Sequence, residues 1–431
     1  MTDNLFNEKD ITVRQELREI ANPVFNTAKM TLFDLALSGD KDAAEIINKL
    51  GLDRGKMQSS LINKPSQAEL LCESAGIWIR FYTMNAIIEK LNLDTEIDLP
   101  CGYTPRAVKF ARENKKFVGL DLPAVISELE PVIMSLIDSD KRNLVKFQAV
   151  DATNYDSLKK VFDNISGSVC ITTEGLLMYF TESEAGALCD NIRKILESHG
   201  GCWVMADPES FLMYVEAAKI LLGDNFKQSL INIHKGAQSK SDITLQEFIM
   251  IIQPHLKNIQ EQTQQVINFL HSHGLKHERL IIADYMPDLE NFTGITHEQA
   301  EQIKSAMKEL AFWKITLDNA SQKIHESSIK SNKFSLNAKL IYNRLELNFT
   351  GRFDTLSAPD LLAFFDDLAS KHEINSVLIN CGKLDYISSA GLRVLLIIHK
   401  RVKSGVTLEN INLAISEILS QTGFDSILNV Q

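Results

Sequence analysis

Four acidic residues each follow a short apolar segment that has the length of a buried strand. The first two segments end at Asp98 and Asp121, and the next two are followed by Asp151 and Glu174. Ligands bind beyond the carboxyl ends of parallel strands, so these acids predict one polar rim along a sheet edge. A lone Asp after a strand is more often a helix N-cap, and only the set as a whole favours a binding site.

The residues around the first two acids indicate which ligand such a rim would hold. A turn of small residues with Gly102 follows Asp98, and Asp121 lies about 20 residues further on, the usual place of an acid that binds ribose hydroxyls. The turn lacks the Gly-x-Gly-x-x-Gly pattern, which disfavours NAD and FAD, and no Walker loop occurs. S-adenosylmethionine is the remaining common nucleoside cofactor for such a sheet.

A second candidate site is a serine pair near the C-terminus. Ser388 and Ser389 stand between an apolar strand-like segment and an apolar helix-like segment. A helix N-terminus carries unpaired N–H groups and a partial positive charge, so it suits both a capping hydroxyl and a phosphate. A cap would stabilise the helix by about 1 kcal/mol. The spacing alone leaves cap and phosphorylation site open as alternatives.

Composition limits the class of protein. A chain of 431 residues is expected to form two or three domains, and 45% hydrophobic with 23% charged residues is typical of a globular protein. A net charge of -11 argues against nucleic-acid and anionic membrane partners. Six cysteines without a CxxC pair, and no signal-peptide pattern, predict reduced thiols in a cytoplasmic protein without a metal site.

The order of the segments predicts the fold class. Residues 9–92 have helical spacing, and short apolar strands alternate with helices over residues 95–207, which predicts an α/β, Rossmann-like parallel sheet. A helical insert over 208–262 and three further strands, Val266–His273, Leu280–Tyr285 and Ala311–Leu317, are expected next. The polar, Ser- and Lys-rich segment 321–337 is predicted as a linker. We therefore expect domains at 1–320 and 338–431, with the first 92 residues of the larger one helical.

Two motifs resemble the leucine carboxyl methyltransferase family, which contains bacterial O-methyltransferases. They are Asp121-Leu122-Pro123-Ala124-Val125-Ile126 and Glu174-Gly175-Leu176-Leu177-Met178-Tyr179, and the resemblance runs over about residues 20–318. It implies a class I, S-adenosylmethionine-dependent fold. The implied cofactor contacts are Arg80 with the methionine carboxylate, Asp98 and Gly102 at the methionine end of the pocket, Asp121 with the ribose, Asp151 with adenine and Glu174 near the sulfonium or amino group.

The chain departs from this family in the turn after the first strand. Pro100 replaces the first glycine, and Thr104 replaces the acid that usually follows the second glycine. A carboxylate acceptor of the methyl group is ionised at neutral pH and needs no base, whereas a phenol or alcohol needs one. The sequence identifies no catalytic base, because His234 and His255 in the helical insert are more typical of surface histidines.

The C-terminal segment resembles the STAS domain, the small α/β fold of anti-sigma factor antagonists. The resemblance covers about residues 338–431 and rests on the turn Gly351-Arg352-Phe353-Asp354, the Ser388-Ser389-Ala390-Gly391-Leu392 stretch and Gln421-Thr422-Gly423-Phe424. It implies a phosphorylation switch at Ser389, or else at Ser388, and an anti-sigma factor or serine kinase as partner. In many members an Asp directly precedes the phosphorylated pair, where this chain has Ile387.

The sequence thus leaves two functional hypotheses. In the first, the chain is an S-adenosylmethionine-dependent O-methyltransferase that acts on a small molecule or a protein and carries a regulatory STAS domain. In the second, the larger domain only senses S-adenosylmethionine, and the chain is a non-catalytic anti-sigma factor antagonist. The intact acidic motifs favour the first, and the altered first turn and the lack of a base favour the second.

Overall fold

The chain divides into two compact units. A computed structural model describes residues 27–55, 66–226, 249–253, 258–318, 327–330, 333–341 and 343–430. The larger unit comprises residues up to Ile267 together with His277–Leu317, and the smaller one comprises Asn268–Lys276 and Asp318–Gln431. Each unit has its own cluster of buried apolar side chains. The domain boundaries at 1–320, 321–337 and 338–431 stay a prediction.

The larger unit contains a seven-stranded sheet in the order β3-β2-β1-β4-β5-β7-β6. β1 pairs in parallel with β2 and β4, whereas β7 is antiparallel to its neighbour β5. The first five strands lie where the apolar segments predict them. The strands are β1 Thr95–Asp98, β2 Lys116–Asp121, β3 Val145–Ala149, β4 Val169–Thr173, β5 Gly201–Met205, β6 Leu275–Ile281 and β7 Ala311–Leu317.

The strand order reverses between β1 and β4. The chain proceeds from β1 through β2 to β3 on one side, and from β4 to β5 on the other. In open α/β sheets the crevice outside the carboxyl ends at such a switch point is where ligands bind. β1 and β4 are buried along their whole length, which fixes their ends firmly in the core.

Helices cover this sheet, and several of them begin at a residue whose side chain caps the helix. The longest, α2, starts at Ser66, which forms a capping box with Glu69, and ends at Asn92 in the left-handed conformation. No helix in the described part of the chain is long and apolar enough to cross a bilayer. Residues 27–37 are helical as well. The helices that follow are α1 Lys41–Leu50, α2 Gln67–Leu91, α3 Arg106–Arg112, α4 Pro123–Leu136, α5 Tyr155–Phe162, α6 Glu182–His199, α7 Asp207–Leu222, α8 Ile259–Ser272 and α9 His297–Ala306.

The predicted strand Val266–His273 is wrong, because α8 occupies this segment. Asn258 starts the helix by accepting a hydrogen bond from the amide of Glu261 at 3.1 Å. Val266 and Leu270, four residues apart, are both buried, which is helical and not strand spacing. The next predicted strand is displaced, since β6 ends at Ile281. His234 and His255 lie outside the described residues.

The smaller unit contains a six-stranded sheet in the order β13-β12-β11-β10-β9-β8. β10 to β13 are parallel to one another, whereas β8 and β9 are antiparallel. β8 falls within the segment predicted as a linker. The elements are β8 Ser327–Lys330, β9 Phe334–Ile341, β10 Arg344–Phe353, α10 Ala358–Lys371, β11 Ser376–Ile387, α11 Ser389–His399, β12 Val406–Glu409, α12 Leu413–Thr422 and β13 Asn429–Val430.

One local prediction in this unit is wrong and another holds only in part. The apolar residues of Ile411–Ala414 predict a last strand. Instead α12 begins there, because Asn412 caps it by accepting from the amide of Ile415 at 3.0 Å. Ser357, with Pro359 two residues later, is predicted as a helix N-cap, and it does hold this position before α10, but its hydroxyl makes no capping hydrogen bond. It accepts instead from the amide of Asp354 at 2.9 Å, which closes the turn before the helix.

Candidate functional site

Asp121 is the last residue of β2 and is held by two backbone amides. Its Oδ2 accepts from the amide of Gly102 at 2.8 Å, and its Oδ1 accepts from the amide of Leu122 at 2.7 Å. Burial raises the pKa of Asp121 to about 6, although both amides act in the opposite direction. Gly102 has φ +51°, and a Cβ there would meet no protein atom within 4 Å. The space beside this turn is therefore open to a ligand.

Asp98 ends β1 and forms a buried ion pair with a residue that the sequence analysis missed. Arg106 Nη1 donates to Asp98 Oδ2 at 2.7 Å, and both side chains are at most 2% exposed. Arg106 Nε also donates to Asn85 Oδ1 at 2.7 Å. The hydroxyl of Thr172 lies 3.1 Å from Asp98 Oδ1. Both carboxylate oxygens of Asp98 thus already have donors within the protein.

Glu174 lies between two guanidinium groups just beyond β4. Arg106 Nη2 donates to its Oε1 at 2.5 Å, and Arg80 Nε donates to its Oε2 at 3.1 Å. Arg80 Nη1 also donates to the hydroxyl of Tyr214 at 3.3 Å. Within the described residues Arg80 Nη2 has no hydrogen bond, so one edge of this guanidinium remains a donor for a ligand.

Glu96 is a second acid on the same face of β1, two residues before Asp98. Burial, followed by the nearby charge of Asp98, raises the pKa of Glu96 to about 8, so it holds a proton near neutral pH. Its Oε1 lies 2.8 Å from the hydroxyl of Thr172, which is also close to Asp98. A protonated Glu96 can therefore donate to Thr172, whose own hydrogen is then directed to Asp98.

Asp207 begins α7 directly after β5 and was also missed. It is 1% exposed, and its Oδ1 accepts from the amides of Leu176 and Leu177 at 3.0 and 3.1 Å. Its Oδ2 is buried without a hydrogen-bond partner among the residues described. Burial raises the pKa of this carboxyl. Asp207 thereby ties the carboxyl end of β5 to the turn that follows β4.

Asp151 lies apart from this cluster. It is exposed, and its Oδ1 accepts from both the amide and the hydroxyl of Thr153, at 2.9 and 2.7 Å. The other predicted positions come together, with Arg80 bonded to Glu174 and Asp121 bonded to the backbone of Gly102. Asp98 joins Glu174 only through Arg106.

Two of the missed residues had a signal in the sequence. Glu96 stands two positions before Asp98, and the period of a strand places such residues on one face. Arg106 follows the glycine turn at the end of β1, where a cation would face the predicted acids. Asp207 gave no comparable signal, since an acid after a strand is ordinarily read as a cap.

The cluster has an excess of negative charge. The carboxyl groups of Asp98, Glu174 and Asp207 outnumber the guanidinium groups of Arg80 and Arg106, even with Glu96 protonated. A site with this balance attracts a ligand of net positive charge, because burial weakens solvent screening.

The two serines of the pair in the smaller unit have different positions and contacts at the start of α11. Ser388 is the N-cap of α11, and its hydroxyl accepts from the amide of Gly391 at 3.2 Å. Ser389 is the first helical residue and is exposed, and its hydroxyl has no hydrogen bond in the described part of the chain. Arg393 is exposed one turn later on the same helix.

The family comparison identifies the C-terminal segment. Residues 335–431 match the STAS domain family. They form a STAS domain. This STAS domain is similar in structure to an anti-sigma factor antagonist from Mycobacterium paratuberculosis, with 16% sequence identity and a TM-score of 0.21. The alignment covers 24% of this chain and 89% of that one.

The region before the STAS domain is similar to methyltransferases of known structure. One is an O-methyltransferase family protein from Burkholderia thailandensis, at 14% identity and a TM-score of 0.25, covering 37% of this chain and 48% of that one. Another is human N-acetylserotonin methyltransferase in complex with S-adenosylmethionine, at 12% identity and a TM-score of 0.22, covering 41% and 50%.

The chain therefore spans about half the length of these two methyltransferases. A comparison with curated proteins gives no match. With such identities and TM-scores, no residue role in this chain follows from the structural neighbours. The roles rest on the geometry of the cluster itself.

Proposed function

We propose that the chain is an S-adenosylmethionine-dependent O-methyltransferase whose STAS domain is a phosphorylation-controlled docking unit. The observation that carries the enzymatic part is the acidic cluster at the β1/β4 switch point. Asp98 and Glu174 flank this point, and Asp121 follows on the neighbouring strand. A negative cluster at the ligand-binding edge of a parallel sheet suits a nucleoside ligand of net positive charge.

The residues present fit this cofactor in its main parts. Asp121 would hold the ribose hydroxyls, because in the described chain its oxygens accept only from the Leu122 and Gly102 amides and, at 4.0 Å, from the Cys101 thiol. The space beside Gly102 is open. Glu174 and the free edge of Arg80 would hold the amino and carboxylate groups. Asp98 would act indirectly through Arg106, and Asp151 would reach adenine from its exposed turn. When bound, the cofactor supplies an electrophilic methyl group on a sulfonium.

Calorimetric titration of S-adenosylmethionine into the full chain tests the binding step. We expect micromolar affinity for the wild type and a loss of about tenfold or more in Asp121→Ala, which corresponds to about 1.4 kcal/mol. Asp163→Ala is the matched control, since Asp163 is an exposed acid of the same unit. Absence of binding by the folded wild type would contradict the proposal.

Turnover separates this function from a second candidate. Both oxygens of Glu174 are held by arginines of the protein, which favours a stable cluster that senses the cofactor without transferring its methyl group. Formation of S-adenosylhomocysteine with a panel of carboxylates and phenols would establish the enzyme. Binding without turnover across that panel would favour the sensor, acting as an anti-sigma factor antagonist.

The proposed switch in the STAS domain lies at Ser389. Ser388 already serves as the N-cap, whereas the hydroxyl of Ser389 is exposed and accessible to a serine kinase. A phosphate there adds nearly two negative charges to the docking surface for an anti-sigma factor. Mass spectrometry after treatment with the cognate kinase should locate the phosphate on Ser389. A phosphate confined to Ser388 would contradict this assignment.

A further inference from the structure

The turn that follows β4 determines where Glu174 lies. It passes through Gly175, which has φ +68°, and enters a short 3-10 helix at Leu177–Tyr179. Gly175 is so close to Arg80 that an added Cβ would lie 3.8 Å from its Nη1. A shift of this turn would therefore change the contact between Glu174 and the two arginines.

Asp207 is the side chain that holds this turn in place. One oxygen accepts from two successive amides, those of Leu176 and Leu177. Such charge-assisted hydrogen bonds are stronger than neutral ones, and in a buried position no water replaces them. The amides held by Asp207 begin only two residues after Glu174, so little freedom remains in between.

Helix α7 also contacts Arg80, the cation of the Arg80–Glu174 ion pair. Tyr214 lies seven residues after Asp207 on α7, and this spacing places both on one helix face. Tyr214 accepts from Arg80 Nη1, while Asp207 fixes the turn that carries Glu174. One face of α7 thus sets the relative position of Arg80 and Glu174.

We propose that Asp207 is a positioning residue for the part of the pocket that binds the amino-acid end of the cofactor. This inference rests on the proposed function. Asp207 acts through its Oδ1 on the Leu176 and Leu177 amides, and it touches no ligand itself. Its removal releases Glu174 from the place where, together with Arg80, it faces a group that carries both an ammonium and a carboxylate.

Two probes and two variants test this. S-adenosylhomocysteine has the amino-acid end, and 5′-methylthioadenosine lacks it. In Asp207→Ala we expect the affinity of the full-length protein for S-adenosylhomocysteine to fall by about tenfold or more, with that for methylthioadenosine within about threefold of wild type. Asp207→Asn keeps an oxygen that accepts from both amides, so it should restore the affinity for S-adenosylhomocysteine.

Each other outcome contradicts the inference. Equal loss for both probes would mean a general structural role, and no loss for either would mean no role. If Asp207→Asn does not restore binding, the negative charge of Asp207, and not its hold on the Leu176 and Leu177 amides, determines the affinity. If neither probe binds the wild type, the proposed function fails and this inference with it. If Asp207→Ala does not fold, Asp207→Ser replaces it, since its side chain is too short to hold both amides.

Discussion

Arg106 is the residue on which the charged cluster depends. Its guanidinium is 1% exposed and donates to Asn85, Asp98 and Glu174. A buried charge destabilises a fold unless it is paired, and here Arg106 and the two carboxylates compensate one another. The loss of this one side chain would leave Asp98 without a counter-ion and Glu174 with Arg80 alone.

Arg106→Met should therefore lower the free energy of unfolding of the larger unit by about 3–5 kcal/mol. Urea unfolding followed by tryptophan fluorescence measures this selectively, because all three tryptophans, Trp78, Trp203 and Trp313, lie in that unit. The control is Arg112→Met, whose side chain is 59% exposed and pairs with Asp42 at the surface. Its effect should stay within about 1 kcal/mol. Equal effects of both variants would contradict the role of Arg106.

Glu96 makes the stability of the larger unit depend on pH. Its pKa is raised from 4.5 to about 8, so the folded state retains a proton that the unfolded chain releases. The proton on Glu96 therefore contributes fully to the free energy of unfolding below pH 4.5, and this contribution is lost as the pH rises toward 8. Glu96→Gln should be more stable than wild type by roughly 2–4 kcal/mol at pH 8 and about equal at pH 4.5. A difference that is the same at both pH values would contradict this account.

Ser389 and Arg393 allow a direct test of a phosphate on α11. Residues four apart on a helix are neighbours, and Arg393 has no ion pair within the described chain. With phosphoserine incorporated at position 389, the second pKa of the phosphate should lie below its usual value of about 6. Arg393→Gln should raise this pKa, as read by ³¹P NMR, whereas the exposed, distant Lys403→Gln should not. Identical titrations of all three proteins would contradict the contact.

The candidate site was only partly predictable at this scale. The acids Asp98, Asp121 and Glu174 were found because each ends or follows an apolar strand. Whether an acid faces a ligand or an internal cation depends on which helix packs above it, and no local pattern encodes that. Arg106 and Asp207 are satisfied through contacts that are distant in sequence.

At the scale of elements, the apolar runs predicted the first five strands well. A fully buried parallel strand is a short continuous apolar run, and little else in the chain has this form. Two of the errors arose where an amphipathic helix, α8 or α12, was predicted as a strand. Asn258 and Asn412 cap such helices, and an Asn before an apolar segment is equally typical of a loop between strands.

The packing of α2 against α7 gives a test at this scale. The ring of Tyr214 lies directly on Gly76, so a Cβ at that position would come within 1.9 Å of the ring. Gly76→Ala should destabilise the larger unit by about 1–3 kcal/mol, although alanine favours helices. The double variant with Tyr214→Ala should lose less stability than the sum of the single variants. Simple additivity would contradict the steric cause.

At the scale of the whole molecule, the described residues form two buried apolar clusters, and the tryptophans are unevenly distributed. The STAS domain contains none of the three tryptophans. Tryptophan fluorescence therefore reports unfolding of the larger unit, whereas circular dichroism reports unfolding of both units. This provides a test of whether the two units unfold separately.

Leu395, which is 1% exposed, lies in the core of the smaller unit. Leu395→Ala should cost that unit about 2–5 kcal/mol through lost burial and a residual cavity. Circular dichroism should then show an earlier transition, with the tryptophan transition and the affinity for S-adenosylmethionine unchanged. A parallel shift of the tryptophan transition would mean that the chain unfolds as one cooperative body.

The buried set of Arg106, Asp98 and Glu174 also restricts how this protein can diverge. Exchange of Arg106 alone leaves the buried charge of Asp98 unpaired, and exchange of either acid leaves a buried guanidinium N–H without its acceptor. Exchange of the whole set for apolar side chains of similar volume has neither cost. A variant that has exchanged only one or two of these three residues would therefore have low stability. Descendants of this sequence should therefore keep all three residues or have replaced all three, and mixed combinations should be rare among them.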